Sequence, residues 1–313
     1  MYGNIKLYAG SACPELAQRV ADYIGMRLSR WDITTFPNEN IFIRLNSSVR
    51  GQDVYLIQTH DRPVHNNIME MLIAIDCFKR DSAGRVTVVI PYMSYSQSDK
   101  KDQPRVPITA RLLADMLEVA GADRWITIDL HAGQIQGFYK IPGDSLTALH
   151  IICGYIRKKQ LNATVVTTDL GFAKGGRNYA ETLGFPLAFV EKRRIGNAGE
   201  REALTLIGSV EGRDVLIVDD LVDTAGSVGQ AIEVVRAHGA RDVYLAFTHP
   251  VLSPPAIERL SQLDIKEIVT TDTLPVPAEL RLPNMTILTV AELLGEVILR
   301  SHEGRSVGEL FNE

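Results

Sequence analysis

Residues 215–228 read VLIVDDLVDTAGSV, an apolar run that leads through two carboxylates into a stretch of short side chains. An unbroken apolar run such as 215–218 is typical of a strand buried on both faces, as in the central parallel sheet of an α/β protein. Asp219 and Asp220 then fall at the carboxyl end of that strand, where open α/β sheets bind their ligands. The pattern predicts a strand, a binding loop and a helix, in that order.

The predicted loop has the properties of a phosphate site. Because its side chains are short, backbone N–H groups can approach a phosphate, and the following helix presents its positive end. Carboxylates beside a phosphate would repel it unless they face ribose hydroxyls or a bound Mg²⁺. The loop consists of Asp223, Thr224, Ala225, Gly226 and Ser227. We therefore expect a phosphosugar site, and the alternative is a structural turn between a strand and a helix.

The composition is that of an average globular protein. The chain has 313 residues, of which 45% are hydrophobic and 23% charged, so it is long enough for two domains with buried cores. Its formal charge of −5 gives no reason to expect nucleic acid or an anionic membrane as a partner. Three widely spaced cysteines favour free thiols in a reducing compartment, and no apolar run approaches a membrane span. We expect a soluble cytoplasmic enzyme.

The two halves of the chain repeat each other. Residues 49–57 (VRGQDVYLI) and 210–218 (VEGRDVLIV) share the pattern V-x-G-x-D-V followed by apolar residues. A second pair, 83–91 and 239–247, follows at similar spacing. Such a repeat indicates duplication of one unit, and the alternation of strand-like with helical segments predicts βαβ units with parallel sheets. Chance similarity between two strand starts is the alternative for either pair taken alone.

The motif VLIVDDLVDTAGS resembles the PRPP-binding motif that is shared by type I phosphoribosyltransferases and ribose-phosphate pyrophosphokinases, the PRPP synthetases. Further segments resemble the second family in chain order, and the similarity runs from residue 5 to about 311. These segments are SVRGQDVYLIQ (48–58), NNIMEMLIAIDCFKRDSAGRVTVVIPY (66–92), RVPITARLLADML (105–117), DLHAGQIQGF (129–138) and EKRR (191–194). The resemblance implies an α/β fold of two tandem phosphoribosyltransferase-type domains with central parallel sheets.

The resemblance also implies an organisation. We expect an N-terminal domain over 1–146 and a C-terminal domain over 147–288, with the final segment, about 289–313, returning to the first. The implied reaction transfers the pyrophosphoryl group of Mg-ATP to the 1-hydroxyl of ribose 5-phosphate, which yields PRPP and AMP for nucleotide biosynthesis. The family places its active site where subunits meet, so a homo-oligomer built from dimers is expected, with the hexamer as one such form.

Two groups of residues take roles in the sugar phosphate reaction by this resemblance. Asp219 and Asp220 would hold the ribose hydroxyls, and residues 223–227 would hold the 5-phosphate. Lys192 and Arg194 would be catalytic, since phosphoryl-type transfer needs neutralisation of oxygens in the transition state. From the residues alone, three adjacent cations such as those at 192–194 more often form a solvated basic surface.

The metal assignment also comes from the resemblance. His131 and Asp169 match the metal-binding pair near the nucleotide phosphates, and the implied ion is Mg²⁺. Without the surrounding DLHAGQIQGF, a lone histidine at the end of a strand is more often structural or merely exposed. After Asp169, this chain has Phe172 where the family usually continues a Gly-Gly pair, so the ring needs room.

The nucleotide site is where the sequence departs from the family. Asn40 stands in place of a glutamate, and Gln97-Ser98 stand in place of Arg-Gln. An arginine is a bidentate and always charged partner that glutamine cannot replace, so the departures predict a relaxed or shifted choice of donor. Phe36 would stack on adenine. The full set of expected ATP-binding residues is Phe36, Asn38, Asn40, Gln97, Ser98 and Asp99.

A further departure lies in the phosphate loop, where Ala225 replaces a common glycine. A small residue should be tolerable there if its φ stays negative, because alanine adopts a negative φ without strain.

Two other functions stay open at this point. Loss of ATP-site groups would suit a catalytically weak regulatory homologue that binds phosphosugar and an active partner, although His131, Asp169, Lys192 and Arg194 are all retained. A phosphoribosyltransferase, which uses PRPP, would need only one such domain, so the duplication and DLHAGQIQGF count against it.

Overall fold

A computed structural model describes residues 2–195 and 201–311, without the side chains of 192–195, 201–203, 309 and 311. The chain divides into two compact units. The first comprises Met1–Thr147, Thr273–Pro275 and Thr289–Glu313, and the second comprises Ala148–Asp272 and Val276–Leu288. No helix in the described part of the chain is both long and apolar enough to cross a membrane.

The first unit alternates strands and helices from its start. Its elements are β1 (Ile5–Ala9), α1 (Pro14–Ile24), β2 (Trp31–Thr35), β3 (Ile41–Leu45), β4 (Asp53–Ile57), α2 (Val64–Arg80), β5 (Arg85–Ile90), α3 (Thr109–Ala120), β6 (Arg124–Ile128) and β7 (Gly143–Leu146).

The second unit repeats this succession. Its elements are α4 (Leu149–Lys158), β8 (Ala163–Thr167), α5 (Ala173–Leu183), β9 (Leu187–Ile195), β10 (Arg201–Ile207), β11 (Asp214–Val222), α6 (Gly226–Ala237), β12 (Val243–Pro250), α7 (Ala256–Gln262), β13 (Glu267–Thr271) and β14 (Met285–Leu288). The helix α8 (Ala291–Glu303) follows and belongs to the first unit.

Each unit contains a parallel sheet whose strands follow one another in chain order. The first sheet has the order β1-β4-β5-β6-β7, and the second contains β8-β11-β12-β13-β14. In both units an antiparallel hairpin follows the first strand and its helix. The hairpin β2-β3 forms a sheet of its own, whereas β9-β10 extends the second sheet through β8. This topology confirms the α/β fold with central parallel sheets and the duplication.

The repeated V-x-G-x-D-V pattern forms the same turn in both units. Gly51 has a φ of +69° and Gly212 a φ of +64°, a region that glycine adopts without the steric cost of a side chain. The N–H of Gly51 donates to the carbonyl of Ser82 over 2.8 Å, and the N–H of Gly212 donates to that of Gly239 over 2.9 Å. The turn therefore fixes where β4 and β11 begin.

Each unit has its own core because its central strands are buried on both faces. All five residues of β4 and all five of β13 are buried, and β-branched residues are frequent among such strands. In the first unit a Cβ at Gly143 would lie 2.0 Å from the Trp125 ring, so the glycine makes room for that side chain.

The helix α8 is held to the first unit by a buried ion pair. Arg85 donates to both carboxylate oxygens of Asp53, over 2.7 and 2.6 Å, and to the carbonyl of Ser301 over 3.1 Å. Nδ1 of His302 lies 2.8 Å from Asp53 Oδ2. The Asp53 side chain is fully buried, so these partners compensate its loss of hydration.

Candidate phosphosugar site

Strand β11 runs four residues past the apolar run 215–218, so Asp219 and Asp220 lie within the strand, near its carboxyl end. The cause is the neighbouring strand: β12 offers pairing partners as far as Val222, whereas the register with β8 stops at Val218. The carboxylates therefore lie where β11 is paired with β12 but no longer with β8. This placement opens one side of the strand to a ligand while the other stays paired.

The two carboxylates are fixed by short hydrogen bonds. Asp219 Oδ2 accepts from the hydroxyl of Thr168 over 2.5 Å, and its Oδ1 accepts from the N–H of Asp220 over 2.9 Å. Asp220 Oδ1 accepts from the N–H of Leu221 over 2.9 Å. Burial, followed by the adjacent Asp220 charge, raises the pKa of Asp219 well above its ordinary value. Ligand hydroxyls or a cation would stabilise the charged form of this pair.

The residue before α6 has a left-handed backbone conformation. Ala225 has a φ of +60° and a ψ of +15°, so the condition of a negative φ, under which alanine would replace the glycine without strain, is not met. The left-handed conformation turns the chain from β11 into α6, and the Ala225 carbonyl accepts the N–H of Gly229 over 3.0 Å. For an L-residue this conformation costs about 1 kcal/mol, and a methyl group is still small enough for the buried position.

One polar atom of the phosphate loop (residues 223–227) is buried without a partner. Asp223 Oδ1 makes no hydrogen bond to any described residue. Such atoms are uncommon in folded proteins because an unmet hydrogen bond is costly. A hydroxyl of a bound sugar would supply the missing donor, which fits the predicted ligand class.

A residue that the sequence analysis did not identify lies against this loop. Nη1 of Arg259, in α7, donates to the carbonyl of Thr224 over 3.0 Å. The two residues are 35 positions apart, so neither spacing nor motif connects them. The Pro-Pro pair before α7 marks a turn but does not indicate a binding residue.

The expected metal pair is divided between the units. His131 follows β6 in the first unit, and Asp169 follows β8 in the second. Oδ1 of Asp169 accepts the N–H of Gly171 over 2.7 Å and that of Phe172 over 3.3 Å. The described residues contain no cluster of three or more possible metal ligands. The pairing of His131 with Asp169 stays a prediction.

The Phe172 ring, which the sequence indicated would need space, has it. A Cβ built on Gly175 would lie 2.3 Å from the Cζ atom of Phe172. The glycine one turn into α5 therefore accommodates the ring that replaces a glycine of the family pattern.

The two residues predicted to be catalytic, Lys192 and Arg194, lie on β9, and only their backbone can be placed. Lys192 pairs with Leu204 and Arg194 with Glu202 across the β9-β10 hairpin. Their side chains, and all of residues 196–200, lie outside the described residues. The roles of Lys192 and Arg194 stay predictions.

Three of the expected nucleotide residues form the tip of the β2-β3 hairpin. The N–H of Phe36 donates to the carbonyl of Asn40 over 2.9 Å, and the N–H of Asn40 donates to Oδ1 of Asn38 over 3.2 Å. The Phe36 side chain is 45% exposed, so its ring can stack on a planar ligand.

The other nucleotide residues follow β5. Gln97 and Ser98 line a pocket of about 530 Å³ together with Tyr92, Tyr95, Ser96, Lys100, Asp102, Val106 and Pro107. Asp99 is buried and accepts a hydrogen bond from Gln134, within DLHAGQIQGF. The pocket is large enough for a ligand.

Comparison with known proteins identifies relatives over the whole chain. Residues 5–121 match the family described as the N-terminal domain of ribose phosphate pyrophosphokinase, and residues 195–312 match the phosphoribosyl synthetase-associated domain. A ribose-phosphate pyrophosphokinase from Caldanaerobacter subterraneus subsp. tengcongensis is 45% identical over 310 residues, which is 98% of both chains. One from Bacillus subtilis is 41% identical over 310 residues, 99% of this chain and 98% of that one.

A solved structure agrees with these sequence relatives. The crystal structure of phosphoribosylpyrophosphate synthetase from Mycobacterium smegmatis superimposes with a TM-score of 0.92 at 39% identity, over 96% of this chain and all of that one.

Proposed function

The chain belongs to the ribose-phosphate pyrophosphokinase family, and on that premise we propose that it transfers the pyrophosphoryl group of Mg-ATP to the 1-hydroxyl of ribose 5-phosphate. The 1-oxygen forms a bond to the β-phosphorus, and the bond from that phosphorus to the α,β-bridging oxygen breaks. AMP leaves, the hydroxyl proton passes to solvent, and PRPP is the product. The observation that carries the proposal is the carboxylate pair at the open end of β11, directly before the phosphate loop.

Ribose 5-phosphate would bind across these two features. Its hydroxyls would donate to Asp219 and Asp220, and Asp223 Oδ1 would gain the donor that it lacks within the described residues. The 5-phosphate would lie on the backbone N–H groups of the loop, including those of Thr224 and Ser227, at the positive end of α6. The raised pKa of Asp219 supports this arrangement, since sugar hydroxyls stabilise a carboxylate that burial disfavours.

ATP would occupy the pocket that Gln97 and Ser98 line. Phe36, at the hairpin tip of a neighbouring subunit, would stack on the adenine ring. Asn38 and Asn40 of the same hairpin would contact the adenine. Lys192 and Arg194 would neutralise charge as the β-phosphorus changes partners. Asp99, which accepts a hydrogen bond from Gln134, would contribute to the ATP site.

Magnesium would enter with ATP. Mg²⁺ is commonly held by substrate phosphates together with one or two protein ligands, so a cluster of three protein ligands is not required. His131 and Asp169 would complete its coordination, and one Asp169 oxygen is already used by the N–H groups of Gly171 and Phe172. The ion would neutralise phosphate charge.

The proposal also covers the domains, the cellular location and the oligomeric state of the enzyme. The two domains would be 1–146 with 289–313, and 147–288, which lie close to the bounds of the two units. Three free cysteines support a cytoplasmic location, where thiols stay reduced. A homo-oligomer built from dimers follows from the hairpin acting in a neighbouring subunit, and light scattering after size exclusion measures it.

The test is formation of AMP and PRPP by the purified chain, with ATP and then with other nucleoside triphosphates as donor. We expect turnover with ATP, abolished in Lys192→Ala, and a donor profile that reflects Asn40, Gln97 and Ser98. A folded chain that binds ribose 5-phosphate but turns over no donor would instead be the regulatory homologue. A phosphoribosyltransferase would consume PRPP, and the full-length match to pyrophosphokinases speaks against it.

A further inference from the structure

Arg259 is a cation held against the phosphate loop from outside the motif. Its Nη1 donates to the Thr224 carbonyl over 3.0 Å, and a Cβ built on Gly226 would lie 3.4 Å from the same nitrogen. The guanidinium group therefore lies over the first turn of α6, where the backbone N–H groups of a helix have no partner within the helix.

The charge of Arg259 is not neutralised by any carboxylate within the described residues. Two other arginines of the same unit do have carboxylate partners: Arg236 lies 2.7 Å from Asp264, and Arg241 lies 3.2 Å from Asp214. A guanidinium group has five N–H donors, and the bond to Thr224 uses one of them. The side chain is exposed, so the other donors are accessible to a ligand.

A cation beside the loop would favour the binding of a dianion there. Three carboxylates, those of Asp219, Asp220 and Asp223, stand within five positions at the end of β11. Their field opposes a phosphate, and partial charges at the start of α6 are the opposing contribution of the backbone. An arginine adds a full charge and a planar fork that matches phosphate oxygens.

We propose that Arg259 binds the 5-phosphate of ribose 5-phosphate, an inference that rests on the proposed function. Its bond to the Thr224 carbonyl holds the guanidinium group beside the N–H groups of the loop, so the phosphate meets both at once. Arg259 is then a determinant of specificity for a phosphorylated sugar over the free sugar.

The test compares Arg259→Gln with Arg236→Gln, which removes a guanidinium group at the C-terminal end of α6, away from the phosphate loop. We expect Arg259→Gln to raise KM for ribose 5-phosphate about 10- to 100-fold, with KM for ATP and kcat at saturation near those of the unaltered chain. Arg259→Lys keeps the charge without the fork and should recover part of the loss. Arg236→Gln should leave both KM values unchanged.

The outcomes separate the inference from its premise. If the unaltered chain forms no PRPP, the proposed function fails before Arg259 is tested. If it forms PRPP and Arg259→Gln keeps its KM for ribose 5-phosphate, the inference is overturned. A variant that loses kcat and melting temperature together, with no recovery in Arg259→Lys, would also overturn it, because that result indicates a role in folding the loop.

Discussion

Replacing Asp219 with asparagine should stabilise the ligand-free protein while it weakens binding of the sugar. Asparagine has the same shape, and its amide can accept the N–H of Asp220 and donate to the hydroxyl of Thr168, so both hydrogen bonds survive. What disappears is a charge that burial and the Asp220 carboxylate disfavour. Each unit by which the native pKa exceeds that of the unfolded chain costs about 1.4 kcal/mol once the group is ionised.

We expect a gain of about 1–2 kcal/mol in the free energy of unfolding at pH 8, seen as a rise in melting temperature of about 2–4 °C per kcal/mol. KM for ribose 5-phosphate should rise at least about 10-fold, because a hydrogen bond to a charged group contributes about 1.5–3 kcal/mol.

The pH dependence has a definite sign. Because the folded-state pKa of Asp219 is raised, the native state retains a proton that the unfolded chain releases. The contribution of Asp219 to stability is therefore fully present below the ordinary aspartate pKa of about 4, and is lost as pH rises through the raised pKa. The difference in free energy of unfolding between Asp219→Asn and the unaltered chain should therefore grow as pH rises through that window. It should vanish at the acid end of the window.

Urea denaturation with EDTA and without ligand measures the free energy of unfolding, with Asp242→Asn, directly before β12, as the control. Asp242 is exposed and lies 3.6 Å from Lys266, so its replacement should change the free energy of unfolding by less than about 1 kcal/mol. An Asp219→Asn variant less stable than the unaltered chain at pH 8, or a difference that does not narrow on acidification, would refute the reasoning.

Three further substitutions test the fold around the site by thermal or urea denaturation. Ala225→Gly should change the free energy of unfolding by less than about 0.5 kcal/mol, because relief of the left-handed strain, about 1 kcal/mol, offsets the greater entropy of glycine in the unfolded chain, about 0.5–1 kcal/mol; a loss of about 1 kcal/mol or more would show that the strain is absent. Gly175→Ala should destabilise by about 1–3 kcal/mol, and adding Phe172→Ala should recover most of it, since the new Cβ meets that ring; equal values for single and double variants would contradict this. Asp53→Asn should cost about 3–5 kcal/mol and speed amide exchange in α8, because Arg85 keeps a buried charge without its partner; unchanged exchange in α8 would contradict this.

The duplication could be predicted because a short sequence pattern, local to each unit, determines the turn and the start of the strand. The pattern V-x-G-x-D-V contains a glycine with positive φ and the start of a buried strand, and both units use it in the same way. The repeat also places Gln58 at the position that matches Asp219. Gln58 is buried, donates to Glu70 over 2.9 Å and accepts the N–H of Ala12 over 3.0 Å. The first unit therefore uses this position for its own stability.

The details that sequence could not supply depend on tertiary contacts. Strand β11 continues past Val218 because β12 pairs with it, and an apolar run cannot indicate the length of a neighbour. Ala225 takes a positive φ because the connection from β11 to α6 demands it, against the preference of the residue. Arg259 reaches the loop from α7, so only the fold brings the two together.

The most direct test of the central claim is a phosphorus NMR time course of the chain with ATP, Mg²⁺ and ribose 5-phosphate. Transfer of a pyrophosphoryl group to the 1-hydroxyl predicts AMP and PRPP in equal amounts, with no ADP. Both products should be lost in the Lys192→Ala variant and should form more slowly at low sugar concentration in the Asp219→Asn variant. Formation of ADP with a singly phosphorylated sugar, or no sugar-dependent consumption of ATP, would contradict the account.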